Sequence, residues 1–302
     1  MRIVPLAAAL AALTGGLAAS VARAAFPGRN GPLTVARREA NDGLRGTRFI
    51  RSVGPLRCEW EELSANSGCG VVNYANPAVS PDGRSIVFDD GEEVSVVNAD
   101  GSGYRRLGPF SEPIAHPSFA PDGRRLVAIA GTGRFPELLP DPVVSVVSVG
   151  GGAVHRLVAG DWPRWSTTGW IAFIGEDGQL YRIRPEGRRL RRLTGRGCDA
   201  ASWSPDGRRI ACLRGLGIVT LTADGRDVRR IVRFRDSLAR VAPTQIAWAP
   251  NGRAIAAGSN EGELFTFDLR GRIVGPNLDI GQLCGAEYCW WRQGFDWGPA
   301  PG

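Results

Sequence analysis

Six cysteines, two histidines and a few polar and aromatic residues set the chemistry open to this 302-residue chain. The cysteines come first. Cys58 and Cys69 bracket one loop, and Cys284 and Cys289 bracket another. Cys198 stands just before one strand of a hairpin and Cys212 on the next. In an exported chain these three pairs are disulfide candidates. A buried thiol is the alternative for Cys212, which fills the slot held by Phe88 and Phe173 in other repeats. No paired C-x₂-C motif points to zinc, and His116 and His155 are too few for a histidine-rich metal centre. His155 stands where other repeats have arginine, so it reads as solvated. The chain has neither a Gly-x-Ser-x-Gly elbow nor a His-Glu-x-x-His motif. Its glycines at 150–152 open a hairpin turn, not a phosphate-cradling helix. No catalytic residue, metal or cofactor is therefore predicted. Binding is the chemistry left, through Asn76, His116, Asp161, Asp199, Gln245, Tyr288, Trp290 and Trp291.

What positions these residues is a repeated hairpin. Trp203-Ser204-Pro205-Asp206-Gly207-Arg208-Arg209-Ile210-Ala211 reads as a strand, a tight turn and a second strand. Proline presets φ for the first corner, aspartate bonds to the backbone ahead of it, and glycine takes positive φ. The pattern recurs at Val79 to Val87, at Phe119 to Val127 and, with Asn251 for aspartate, at Trp248 to Ala256. A degenerate copy without the proline begins at Trp165. The turns at 81, 121, 167, 205 and 250 lie 38 to 46 residues apart. A second turn motif follows each first one, as in Asn98-Ala99-Asp100-Gly101 and Thr222-Ala223-Asp224-Gly225. Two hairpins per repeat make one four-stranded blade, so the period predicts a β-propeller.

Ser-Pro-Asp-Gly-Arg-Arg-Ile-Ala, followed by Asp-Gly-Ser-Gly and then Arg-Arg-Leu, resembles the propeller repeat of the TolB C-terminal domain and its secreted relatives. No Gly-His or Trp-Asp pair marks the blades, so the likeness to WD repeats is looser. The resemblance covers about residues 26–302 and implies an all-β propeller. TolB itself carries an α/β domain ahead of its propeller, for which the repeats here leave no room.

Residues 1–24 read as a signal peptide: Arg2, an apolar run over 3–17, and Ala22-Arg23-Ala24 as a cleavage site. One propeller domain is expected over 25–302, with no membrane anchor after cleavage. Asn30-Gly31 matches a blade turn, and Leu33 and Val35 match a second strand whose first strand is missing. That strand appears at the far end, where Trp297 and Pro299 match Trp203 and Pro205. The C-terminal strand is thus expected to complete the N-terminal blade, closing a ring of about six blades. Residues 40–72 are too irregular for strands to be assigned.

In such a blade the loops after the second and fourth strands open on one face, where the inner strands also begin. Four long segments fall there, 38–47, 57–74, 131–142 and 277–293, while the turns of the other face are short. Asn76, His116, Asp161, Asp199 and Gln245 are placed around the channel mouth on that same face. Long loops on a rigid scaffold are where binding concentrates. The tryptophans at 165, 203, 248 and 297 read as inter-blade core. The paired arginines at 105–106, 191–192 and 229–230 read as charged outer strands that block edge pairing.

All basic residues are arginine, the formal charge is +7, and the arginines run through every repeat, so nucleic acid is not an expected partner. The expectation is a secreted or periplasmic, monomeric, non-catalytic scaffold for an envelope or extracellular protein. A polysaccharide lyase or hydrolase is the alternative. So is a glycan-binding protein using Tyr288, Trp290 and Trp291.

Overall fold

The computed structural model describes residues 30–41, 44–52, 60–62, 75–89, 93–100, 102–131, 141–234, 243–259, 263–274, 278–279, 289–290 and 295–299. Residues 1–24, expected as a signal peptide, lie outside them, as do Cys58, Cys69, Cys284, Tyr288, Trp291 and most of the long segments expected on the loop face. Every regular element among the described residues is a β-strand.

The chain opens with β1 (Asn30–Asn41), β2 (Leu44–Ser52) and β3 (Trp60–Glu62). Five four-stranded blades follow. Blade I is β4 (Ala75–Val79), β5 (Ser85–Asp89), β6 (Val94–Asn98) and β7 (Arg105–Arg106). Blade II is β8 (Ile114–Phe119), β9 (Arg125–Ala130), β10 (Val143–Ser148) and β11 (His155–Ala159). Blade III is β12 (Asp161–Trp165), β13 (Ile171–Ile174), β14 (Leu180–Ile183) and β15 (Arg191–Arg192). Blade IV is β16 (Ala200–Trp203), β17 (Arg209–Leu213), β18 (Gly217–Thr222) and β19 (Arg229–Arg233). Blade V is β20 (Pro243–Trp248), β21 (Ala254–Ser259), β22 (Glu263–Asp268) and β23 (Leu278–Asp279). Last come β24 (Cys289–Trp290) and β25 (Phe295–Pro299).

The regular blades thus number five rather than the six expected. The remaining sheet departs from the repeat, because both chain ends build it: β1 pairs β2, β2 pairs β3, and β1 pairs both β25 and β24. Ring closure itself follows the sequence pattern. Leu33 lies opposite Trp297 and Val35 opposite Phe295, so the last strand takes the inner position beside β1. The segment 38–47 is not a loop excursion. Arg38 pairs with Thr47 and Asn41 with Leu44, so its described residues are paired strands of β1 and β2.

The turns hold as their chemistry requires. In blade IV the Ser204 hydroxyl donates to Asp206 Oδ1 at 2.7 Å, the Arg208 N–H donates to the same oxygen at 3.0 Å, and Gly207 has φ of 65°. In blade I Ser80, Asp82 and Arg84 repeat the pattern.

Between blades, the residue that ends each inner strand fills the core. Phe119 packs with Val87 and Val94 of blade I, and Trp165 with Val127 and Val144 of blade II. Trp203 packs with Ala172 and Leu180 of blade III, and Trp248 with Leu213 and Ile218 of blade IV. The three tryptophans are no more than 5% exposed, which confirms the core reading for them; Trp297 is half-buried. Burying such a ring removes about 150–250 Å² from water, the main reason blades stack. The paired arginines on β7, β15 and β19 are exposed on the outer strands.

Candidate functional site

The inner strands of blades I to III share a local irregularity that comes from proline. Asn76-Pro77, His116-Pro117 and Trp162-Pro163 occupy one position of the repeat. Proline has no N–H for the neighbouring strand, so the ladder is interrupted there. In each case two residues oppose one. Ala75 pairs with Asp89 and Ala78 with Val87, leaving Asn76 and Pro77 against Phe88. Ala115 pairs with Ile129 and Ser118 with Val127, and Asp161 pairs with Ile174 and Arg164 with Ala172. These are β-bulges, which re-aim side chains. The residue before each proline takes left-handed backbone, with φ of 49° at Asn76, 51° at His116 and 52° at Trp162. Such conformations are costly for non-glycine residues, so the surroundings must hold them.

A hydrogen-bonded cluster at the channel mouth holds them. Asp89 ends β5 and is 2% exposed. Its Oδ2 accepts from Asn76 Nδ2 at 3.0 Å and from the His116 N–H at 2.9 Å, tying blade I to blade II. His116 Nδ1 lies 2.7 Å from Asp161 Oδ1, tying blade II to blade III. The Trp162 N–H donates to that same oxygen at 2.5 Å. The imidazole stacks on the Trp162 indole at 4.3 Å and 17°. Burial pushes the Asp161 carboxyl up, but the His116 hydrogen bond and charge, the Trp162 N–H and the Arg164 charge hold it below its ordinary value.

Deeper in the channel stands Arg164. Burial pulls its pKa down, and the charges of Asp296, Asp161 and Asp89 oppose that pull. Asp296 comes from β25, and its Oδ2 accepts the Val79 N–H of blade I at 2.8 Å, across the ring junction. Burial raises its carboxyl pKa, against the Val79 bond and Arg164. Ser202 does the same for blades IV and V, its hydroxyl accepting the Trp248 N–H at 2.9 Å. Arg164, Asp296, Ser118 and Ser202 line a central cavity of about 50 Å³, bounded by the core tryptophans. A volume of that size suits water or a small ion, not an organic substrate.

Of the residues expected at the mouth, Asn76, His116 and Asp161 come together. Asp199 does not join them: it is exposed, and its Oδ2 accepts the Gly215 N–H at 2.8 Å within blade IV. Gln245 lies half-buried on β20, opposite Gly258. Trp290 is in β24 with its backbone opposite Arg38, while Tyr288 and Trp291 fall outside the described residues. Cys198 and Cys212 form a disulfide with Cα atoms 5.7 Å apart, so the thiol alternative for Cys212 fails. Cys289 lies in β24, opposite Glu39. His155 is exposed on the outer strand β11, as its repeat position implied.

Sequence reading missed Asp89, Trp162 and Arg164. A signal for Trp162 was available in the Trp162-Pro163 pair, which aligns with Asn76-Pro77 and His116-Pro117. Asp89 gave none, since only the closing of blade I on blade II brings it under two bulges. Among the described residues, no three His, Cys, Asp or Glu side chains converge so as to hold a metal ion. No helix among them is long and apolar enough to cross a membrane.

No family model matches the chain, and no curated protein does. Solved structures do. TolB from Acinetobacter baumannii superposes with a TM-score of 0.62 at 15% identity, over 89% of this chain and 67% of that one. A chain of the nidogen/laminin complex gives 0.67 at 10% identity, over 90% and 99%. A putative TolB from Agrobacterium tumefaciens gives 0.58 at 16% identity, over 80% and 95%. At such identities the likeness shows the fold alone, which is a β-propeller.

Proposed function

We propose, from the premise of a TolB-like propeller, that this protein is an exported, non-catalytic scaffold that binds a protein partner at the channel mouth. The observation that carries this reading is the Asn76–Asp89–His116–Asp161–Trp162 cluster. Its polar groups bond to one another across three blades, and its ring stack is held on left-handed backbone. A surface fixed in this way loses little conformational freedom on docking. Trp162 is half-buried and aromatic, the kind of residue that anchors interfaces. Export is supported by the Cys198–Cys212 disulfide and by the signal-like residues 1–24.

One observation favours a second reading. His116 Nδ1 against Asp161 is the arrangement that fixes an imidazole for general acid–base work. A glycan-cleaving enzyme would use it so.

One set of variants tests both. Crosslinking the parent in its native envelope identifies the partner, and binding is then measured for His116→Ala, Trp162→Ala and the opposite-face variant Asp224→Ala. Loss of at least tenfold affinity in the first two, with Asp224→Ala like the parent, is the expected result. Partner binding unchanged in the mouth variants overturns it. So does polysaccharide turnover by the parent that disappears in His116→Ala, which establishes the enzyme.

A further inference from the structure

The arginines run through every repeat, but not evenly. The span 182–196 holds seven of them, Arg182, Arg184, Arg188, Arg189, Arg191, Arg192 and Arg196, against the single acid Glu186. That surplus of six charges nearly matches the formal +7 of the whole chain. Six of the seven sit on the outer hairpin of blade III, whose turn over 184–190 lies on the face opposite the channel mouth, and Arg196 follows β15. Burial lowers the Arg182 pKa, and repulsion from Arg191 and Arg184 adds to it, with Asp224 opposing.

Beside this hairpin, between the turns of blades II and III, runs a groove of about 490 Å³. Arg125, Arg184, Arg188 and Arg189 line it, with Asp122 and Glu186. The four arginines are not equivalent. Arg125 is bound to Asp122 at 2.8 Å. Arg184 is pinned in place: Nη1 donates to the Thr168 carbonyl at 2.8 Å, and the guanidinium lies 3.8 Å from the Trp170 ring centre. Arg182 lies 4.0 Å from that same ring. The side chains of Arg188 and Arg189 are exposed and have no hydrogen bond or ion pair among the described residues. Arg189 also has φ of 58°, a conformation that non-glycine residues seldom adopt.

We propose that this groove is a binding site for acidic polysaccharide, a chain of carboxylate-bearing sugar units. Guanidinium forks match carboxylates two bonds at a time, and one fork is already ordered by stacking. The groove falls within the range of about 300–1,000 Å³ that such sites occupy. Pro121 and Pro185 on its walls offer rigid apolar faces to a sugar ring. An extended peptide fits less well, since the adjacent strand β15 is two residues long and offers almost no edge to pair with. A lipid surface fits less well too, since Leu190 is the one large exposed hydrophobic residue of the span. This site is separate from the channel mouth and does not depend on the reading given to it.

The test titrates the full chain with oligogalacturonate and with dextran, polyglutamate and phosphatidylglycerol vesicles as comparisons. The variants are Arg188→Gln/Arg189→Gln and His116→Ala, with thermal melts to show that each folds. Expected is oligogalacturonate binding that weakens with salt, falls at least tenfold in the double arginine variant and is unchanged in His116→Ala. Dextran should not bind. The proposal is overturned if the parent does not bind oligogalacturonate, or if the double variant binds like the parent. It is equally overturned if polyglutamate or the vesicles bind as tightly. Loss in His116→Ala alone would move glycan binding to the mouth and overturn it as well.

Discussion

Blades I to III and blades IV and V use the same repeat but finish their inner strands differently. In the first three, a proline at one position forces a bulge, and the residue before it takes left-handed backbone. In blade IV the matching residues are Ala200 and Ala201, and the ladder runs without a break from Ala200–Leu213 to Trp203–Ile210. Blade V has a register shift between Pro243 and Gln245, and Gln245 stays out of the left-handed region. The two halves are accordingly held by different forces. The bulged half carries the Asp89 and Asp161 hydrogen-bond network at the mouth. The regular half carries a disulfide and the apolar packing of Trp203 and Trp248. The hairpin repeat is therefore enough to make a blade, and a proline at one position re-aims its neighbour into a hydrogen-bonded network between blades.

The largest expected effect strikes the regular half. Trp203 is 2% exposed, and its Nε1 donates to the Arg164 carbonyl at 3.0 Å. Trp203→Ala should cost about 3–5 kcal/mol in chemical denaturation. A cost below about 1 kcal/mol would show that blade IV is not held by this ring.

The disulfide comes next. Cys198 and Cys212 are 14 residues apart, and opening a loop of that size should cost about 3 kcal/mol. Melting the parent with and without reductant, beside Cys198→Ser/Cys212→Ser, measures it. If the difference vanishes, the regular half gains nothing from its crosslink.

Ring closure sharpens the comparison from outside both halves. Asp296→Ala leaves the Val79 N–H without its acceptor and should cost about 1–3 kcal/mol. Asp296→Asn keeps an acceptor oxygen and should lie closer to the parent. Equal losses in both variants would mean that the carboxylate charge, not the hydrogen bond, matters at the junction.

The smallest effect belongs to the bulged half and depends on pH. The Asp161 pKa is lowered in the folded state, so its contribution is fully present above the ordinary carboxylate value. That contribution disappears as pH falls from about 4 through the lowered value. Asp161→Asn should therefore flatten the acid side of the stability profile and cost about 1 kcal/mol at neutral pH. Melts that track the parent at every pH would show that the mouth cluster carries no linkage through Asp161.

The sequence by itself determined the repeat, its turns and the way the ring closes. These rest on local chemistry: Ser204, Asp206 and Gly207 form their turn from their own side chains and φ preference, and Trp297 matches Trp203 by pattern alone. The Cys198–Cys212 pair was legible for the same reason, since one hairpin holds both residues. Tertiary structure decided the rest. A five-stranded sheet stands where a sixth regular blade was expected, because β1 is long enough to pair with two segments from the C-terminal end. At the mouth, Asp89 reaches Asn76 and His116, and His116 reaches Asp161 45 residues away. Those bonds exist only once blades stand side by side, and no spacing within one repeat encodes them. The same holds for the basic groove, whose walls come from two blades. A period fixes what each blade is, and only the packing of one blade on the next fixes which side chains meet.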